Sequence, residues 1–237
     1  MNLHVGLSGY SYKEWQGEGK FYPKNLKQNQ FLEYYATQFD AVELDGTWYR
    51  MPSEKMVSEW NRATPEGFQF CPKAHRDITH IMRLHPESIR SLQFMLSRLE
   101  PLKKAHKLGP ILIQLPPNLK RKEGLLENFL KDIPEGVWAI EFRHDSWNIP
   151  EVENLLRSYE IAWAMVETDE KEAMYKDTAR FVYVRLRKSD YSDKELKDWA
   201  KRLKSIGKDC YVFCKHEEEV TRPWEWGKKL LKYFARL

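Results

Sequence analysis

Short runs of apolar and β-branched residues alternate along the chain with longer stretches of helical period. The runs predict strands at Leu3–Ser8, Ala41–Asp45, Phe68–Lys73, Ile111–Leu115, Trp138–Arg143, Ile161–Glu167, Phe181–Arg187 and Tyr211–Lys215. Between them, apolar residues recur at i, i+3 and i+4, which marks one buried helix face. Leu32, Tyr35, Ala36 and Phe39 predict one such helix, and Leu92, Met95, Leu96, Leu99 and Leu102 a long one. Leu196, Trp199, Ala200, Leu203 and Ile206 predict another, started by a capping box of Ser192 and Glu195. Leu125–Leu130 and Val152–Tyr159 read as shorter helices, and Trp226, Leu230, Leu231 and Phe234 as a last one.

Strand-then-helix units of this number and length predict an α/β fold, a single (β/α)8 TIM-type barrel. A doubly wound open sheet is the alternative, but no G-x-G-x-x-G or Walker loop follows a strand. The gap between the sixth and seventh strands is short, so its helix is expected to be short or irregular. No linker composition or repeat divides the chain, so one domain over residues 1–237 is expected.

Alternate residues of a barrel strand face the axis and the surrounding helices. One phase is apolar throughout: Val42 and Leu44, Ile111 and Ile113, Ile140 and Phe142, Val182 and Val184. The other turns polar toward the end of nearly every strand. It carries Glu43 and Asp45, Lys73, Gln114, Glu141 and Arg143, Arg185 and Arg187, and Lys215. Buried ions cost several kcal/mol each unless paired or wet, and barrel enzymes keep such groups at the C-terminal mouth. That mouth is therefore the expected active surface.

Composition changes the picture little. The 237 residues include 39 Lys+Arg and 35 Asp+Glu, a formal charge of +4, with 42% hydrophobic residues. That content excludes a disordered chain, and the basic excess is too small to imply nucleic acid by itself. No apolar run reaches the length of a membrane helix, so no membrane partner is expected. The first residues lack the charge pattern of a signal peptide. Cys71, Cys210 and Cys214 have neither zinc nor redox spacing and read as buried strand thiols. A cytoplasmic location is expected from these features.

The motifs Gly6-Leu7-Ser8-Gly9-Tyr10-Ser11-Tyr12 with Trp15 and Phe21-Tyr22-Pro23, and Val42-Glu43-Leu44-Asp45-Gly46-Thr47-Trp48-Tyr49, form an ordered series. Thr64-Pro65 with Phe68, Phe70 and Lys73, then Ile78-Thr79-His80, continue it. Gly109-Pro110-Ile111-Leu112-Ile113-Gln114-Leu115-Pro116-Pro117, Glu141-Phe142-Arg143-His144-Asp145-Ser146-Trp147 and Tyr183-Val184-Arg185-Leu186 complete it. The series resembles the YecE-like family, domain of unknown function 72, over nearly the whole chain. The resemblance implies a TIM-type barrel, related in architecture to xylose-isomerase-like and endonuclease-IV-like proteins, and supplies no reaction. Two places depart from the family pattern. Arg187-Lys188 stands where His-Gly is usual, and Phe213-Cys214-Lys215-His216 stands where an aromatic and paired Asn are usual. Both add positive charge at the expected mouth.

Glu43 and Glu141 are the candidate acid–base pair, since two carboxylates in unlike surroundings can divide the proton-giving and proton-taking roles. The competing reading is that they only pair with Lys73, Arg143 or Arg185. Lys73, Arg143, Arg185 and Lys215 suit a phosphate- or carboxylate-bearing ligand. Asp45, Gln114 and His144 complete the polar set. Tyr10, Tyr49 and Trp147, with Tyr12, Trp15 and Trp48, are candidate stacking platforms beyond the strand ends. His75, His144 and His216 lie past three strand ends and allow a metal site, but no HxH or HExxH element supports one, so no metal ligand is assigned and the cofactor stays open. His80 reads as a solvent or core residue and Glu217-Glu218-Glu219 as a solvated loop. The expected partner is a small anionic molecule. The alternatives are a nucleic-acid binding protein and a metal-dependent phosphodiesterase.

Overall fold

A computed structural model describes residues 1–215 and 221–237. Its strands are β1 Leu3–Ser8, β2 Ala41–Leu44, β3 Gln69–Pro72, β4 Ile111–Gln114, β5 Trp138–Glu141, β6 Ala162–Trp163, β7 Met165–Glu167, β8 Phe181–Leu186 and β9 Asp209–Cys214. Every pairing between them is parallel, in the orders β3-β2-β1-β9-β8-β7 and β4-β5-β6. Two features close these sheets into one barrel. Bridges Phe70↔Leu108 and Lys73↔Leu112 join β3 to the β4 side. β6 and β7 are the two halves of one strand position, broken at Ala164, and they pair with β5 and β8 respectively. The expected sixth strand is thus a single barrel position used in two registers.

The helices are α1 Phe31–Ala36, α2 Gly46–Tyr49, α3 Glu54–Arg62, α4 Ser88–Lys104, α5 Leu125–Lys131, α6 Pro150–Ser158, α7 Asp193–Ile206 and α8 Pro223–Phe234. No helix forms between Glu167 and Phe181, in keeping with the short gap in sequence. The sequence pattern misses α3, because only Val57 and Trp60 of its nine residues are buried and two apolar positions make a weak period. Ser53 starts that helix by accepting from the Met56 N–H at 3.2 Å. No helix among the described residues is long and apolar enough to cross a membrane.

The strand parity read from sequence holds. The outward phase, including Val42, Leu44, Ile113, Ile140, Val184 and Val212, joins the large core beneath the helices. The inward phase forms a second, smaller core of Ala41, Cys71, Leu112, Ala139, Ala162, Ala164, Phe181, Tyr183 and Phe213. Small residues on β2, β3, β5 and β6 share this axis with the large rings of Phe181, Tyr183 and Phe213 on β8 and β9, which fills a narrow barrel. Gly6 belongs here for a steric reason: a Cβ at that position would lie 2.0 Å from the Ala41 carbonyl oxygen. The three cysteines are buried free thiols.

At α7, the Ser192 hydroxyl accepts from the Glu195 N–H at 3.3 Å, and the Glu195 carboxylate accepts from the Ser192 N–H at 2.8 Å. Replacing Ser192 by Ala should cost about 1 kcal/mol in urea unfolding. A loss within error of zero would show that the box contributes nothing to stability.

Candidate active site

The polar layer sits where the inward phase leaves the apolar barrel core. Arg185, at the end of β8, is fully buried and reaches across the axis. One terminal nitrogen donates to Glu141 Oε2 at 2.7 Å and the other to Glu43 Oε1 at 2.7 Å. Asp45 Oδ1 lies 3.6 Å from the same guanidinium. Glu43 and Glu141 stand on β2 and β5, so only a long side chain from a third strand can span both.

Each carboxylate is completed by its register neighbour. Ser8 pairs in register with Glu43, and its hydroxyl donates to Oε1 at 2.5 Å. Gln114 pairs with Glu141, and its amide donates to Oε1 at 2.8 Å. The Tyr183 hydroxyl donates to Glu43 Oε2 at 2.7 Å. Burial by itself would raise the Glu141 carboxyl. The charges of Arg185 and Arg187, with the Gln114 and Arg185 hydrogen bonds, outweigh it and hold Glu141 at about 2. Burial disfavours the Arg185 cation, yet Glu43, Glu141 and Asp45 push its pKa well above the ordinary value. Held there, Glu141 is ionised near neutrality, the form that takes a proton in the expected division. Both carboxylates are ligands of Arg185.

Above this layer lies a cationic rim. The Lys73 amine is 3.7 Å from Asp45 Oδ1 and 5.4 Å from the centre of the Trp48 ring. Burial lowers its pKa, opposed by Asp45 and reinforced by Arg185. The Lys215 amine is 4.0 Å from Asp45 Oδ2. Arg143 Nε and an Arg187 terminal nitrogen lie 3.5 and 4.0 Å from Glu141 Oε1. Five cations thus lie within 4.0 Å of the carboxylates of Glu43, Asp45 and Glu141.

Beside the rim, between the loop after β1 and helices α2 and α3, opens a cavity of about 340 Å³. Tyr10, Tyr12, Asp45, Met51, Met56 and Trp60 are among its walls. Gly9, with φ of +91°, turns the chain over this mouth.

Of the candidate residues, Glu43, Asp45, Lys73, Gln114, Glu141, Arg143, Arg185 and Lys215 are brought together, and Tyr10 reaches the adjoining cavity. Three others are not. Trp147 is 1% exposed, stacks on Phe142 and donates to the Leu119 carbonyl at 2.7 Å, so its faces are not open to a ligand. His144 caps its own turn, its Nδ1 accepting from the Ser146 N–H at 3.1 Å. Tyr49 is 69% exposed, projects to solvent on α2 and does not line the cavity. Trp15 is likewise packed inside, against Tyr12, Phe21 and Trp224. His80 sits closer to the site than expected, its ring 4.9 Å from that of Trp48.

His75 pairs locally with Asp77 at 3.2 Å, and His216 and Glu217–Glu219 lie outside the described residues. Among the described residues no three His, Cys, Asp or Glu side chains gather as metal ligands. Sequence reasoning missed Ser8, Tyr183 and Thr47. Ser8 and Tyr183 share the inward phase with Tyr10 and Arg185, which was the available signal. The Thr47 hydroxyl, 2.7 Å from the Lys73 carbonyl oxygen, ties α2 to the end of β3 and fixes the Lys73 backbone.

The model of the family described as protein of unknown function DUF72 matches residues 4–232. The chain belongs to the DUF72 family. The resemblance read from its motifs is thereby established. It is similar to the UPF0759 protein YunF of Bacillus subtilis, 30% identical over 157 residues, which cover 62% of this chain and 53% of that protein. This DUF72 chain thus spans about half the length of the curated relative it matches. Its fold is similar to the crystal structure of a DUF72 family protein from Thermotoga maritima, with a TM-score of 0.82 at 26% identity, covering 100% of this chain and 99% of that one. An AP endonuclease, family 2, from Brucella melitensis shares the barrel architecture at a TM-score of 0.58 and 11% identity, covering 99% and 98%. At that identity the likeness concerns the fold alone.

Proposed function

We propose that the C-terminal mouth of this DUF72 barrel binds a small anionic molecule bearing a phosphate or carboxylate. The observation that carries the reading is the gathering of Lys73, Arg143 and Lys215 at the rim, beside an Arg185 already bonded by two carboxylates. Arg185 is a scaffold in this reading: buried and doubly bonded, it fixes the strand ends and leaves the rim to meet the ligand. Glu43 and Glu141 are positioning residues. Lys73, whose burial eases loss of its proton, is the group of the rim placed to take part in proton transfer.

Inorganic phosphate titrated by calorimetry tests this. Lys73→Met should weaken binding about tenfold, the value of one charge-assisted contact. Arg143→Ala should weaken it less, because Arg143 is more exposed. Unchanged affinity in the double variant would overturn the reading. Binding of a single-stranded oligonucleotide with a steep salt slope would favour nucleic acid instead.

A further inference from the structure

His80 stands at the mouth outside the carboxylate network. It sits in the connection after β3, on a single wide turn, Asp77–Ile81, closed by the Met82 N–H donating to the Asp77 carbonyl at 2.8 Å. Turns of this width are rare and gather at functional sites. The chain leaves the turn through Arg83 and Leu84, two non-glycine residues with left-handed φ of +50° and +63°, a backbone that L-residues rarely adopt. Strain of this kind points to a function for what it positions. Ile78 and Thr79 are fully buried in the turn, and His80, the next residue, is half-buried.

The ring is placed as an anion contact. It meets the Trp48 ring nearly at right angles, 4.9 Å between centroids, and the Lys73 amine lies 5.4 Å from the centre of the same indole. A lysine and a histidine thus share one aromatic wall. Nδ1 is 2.8 Å from the Thr79 hydroxyl, which can donate to a neutral ring and accept from a protonated one. Nε2 has no partner among the described residues and is open to solvent. The charges that face His80 are all positive: Lys73 just past β3, Arg143 past β5 and Arg83 of its own connection. Asp77, on the same turn, is engaged by His75 at 3.2 Å, and α4, packed on the turn, sets no charge against the ring. Burial first, and then these cations, hold the imidazole below its ordinary value of 6.5.

We infer that His80 is a contact residue of the anion site and takes up a proton as the ligand enters, its Nε2–H donating to the ligand. The inference rests on the anion-binding reading and adds to it a coupling between ligand and pH. Lys73, Arg143 and Arg83 disfavour a further positive charge until an anion offsets theirs. By linkage, a ligand that raises the imidazole pKa binds more tightly as pH falls through the raised value, and the gain levels off below the value of the empty site.

Inorganic sulfate is the probe, because it stays a dianion throughout the range in which a histidine titrates. Its binding to the full chain, measured by calorimetry at constant ionic strength, should be about tenfold tighter at pH 6 than at pH 8. His80→Gln keeps a neutral donor that cannot gain a proton, and its affinity should change by no more than about twofold over the same range. Ring-proton NMR of the parent reads the group itself. The His80 signal, assigned by its absence from the variant, should titrate at higher pH with sulfate than without. Sulfate binding with the His80 midpoint unmoved, or with the same pH dependence in parent and variant, would overturn the role of His80 and leave the anion reading standing. Binding of neither sulfate nor phosphate at either pH would overturn both.

Discussion

Arg185→Met is expected to destabilise the protein by about 3–5 kcal/mol, the usual loss when one partner of a buried ion cluster is removed. The reason is specific to this barrel. Glu43 and Glu141 are 0% and 3% exposed, and the Arg185 guanidinium gives each a hydrogen bond at 2.7 Å. Methionine fills similar space but leaves two carboxylates facing each other across a dry axis. Adding Glu43→Gln and Glu141→Gln to the same chain should recover much of the loss, because a neutral layer no longer needs the cation. Urea unfolding of the single and triple variants measures both effects. A single variant as stable as the parent would mean that water, not Arg185, solvates the glutamates.

The second large effect is on acid stability. Glu141 sits at about 2 in the folded chain against an ordinary value of 4.5. A depressed carboxyl stabilises the fold above its unfolded pKa, and that contribution is lost as pH falls from 4.5 toward 2. The size is on the order of 3 kcal/mol. Glu141→Gln should therefore be less stable than the parent at pH 7, with the gap narrowing below pH 4.5 and nearly closed at pH 2. Urea midpoints at pH 7, 4 and 2.5 would show it. A gap constant across that range would place the source of the Glu141 stabilisation outside its ionisation.

Much of this was legible without coordinates because barrel strands have a strict period of two. Polar residues sharing one phase on β2, β4, β5, β8 and β9 had to converge if the sheet closed, and they do. The capping box at Ser192 was legible for the same kind of reason: it is a local hydrogen-bond pattern with a fixed spacing. The aromatic residues past the strand ends were not. Trp147, Trp15 and Tyr12 look alike in sequence, but loop paths bury the first two and bring the third to the cavity.

The chain's periodicity by itself settled the architecture, the inward face and the roster of charges at the mouth. Which charge bonds which was decided only by closure of the barrel. Arg185 takes Glu43 and Glu141 because three strand ends distant in sequence meet within one side-chain length. Side-chain phase is set by local backbone geometry, whereas pairing across the axis depends on distances that exist only after every strand is in register.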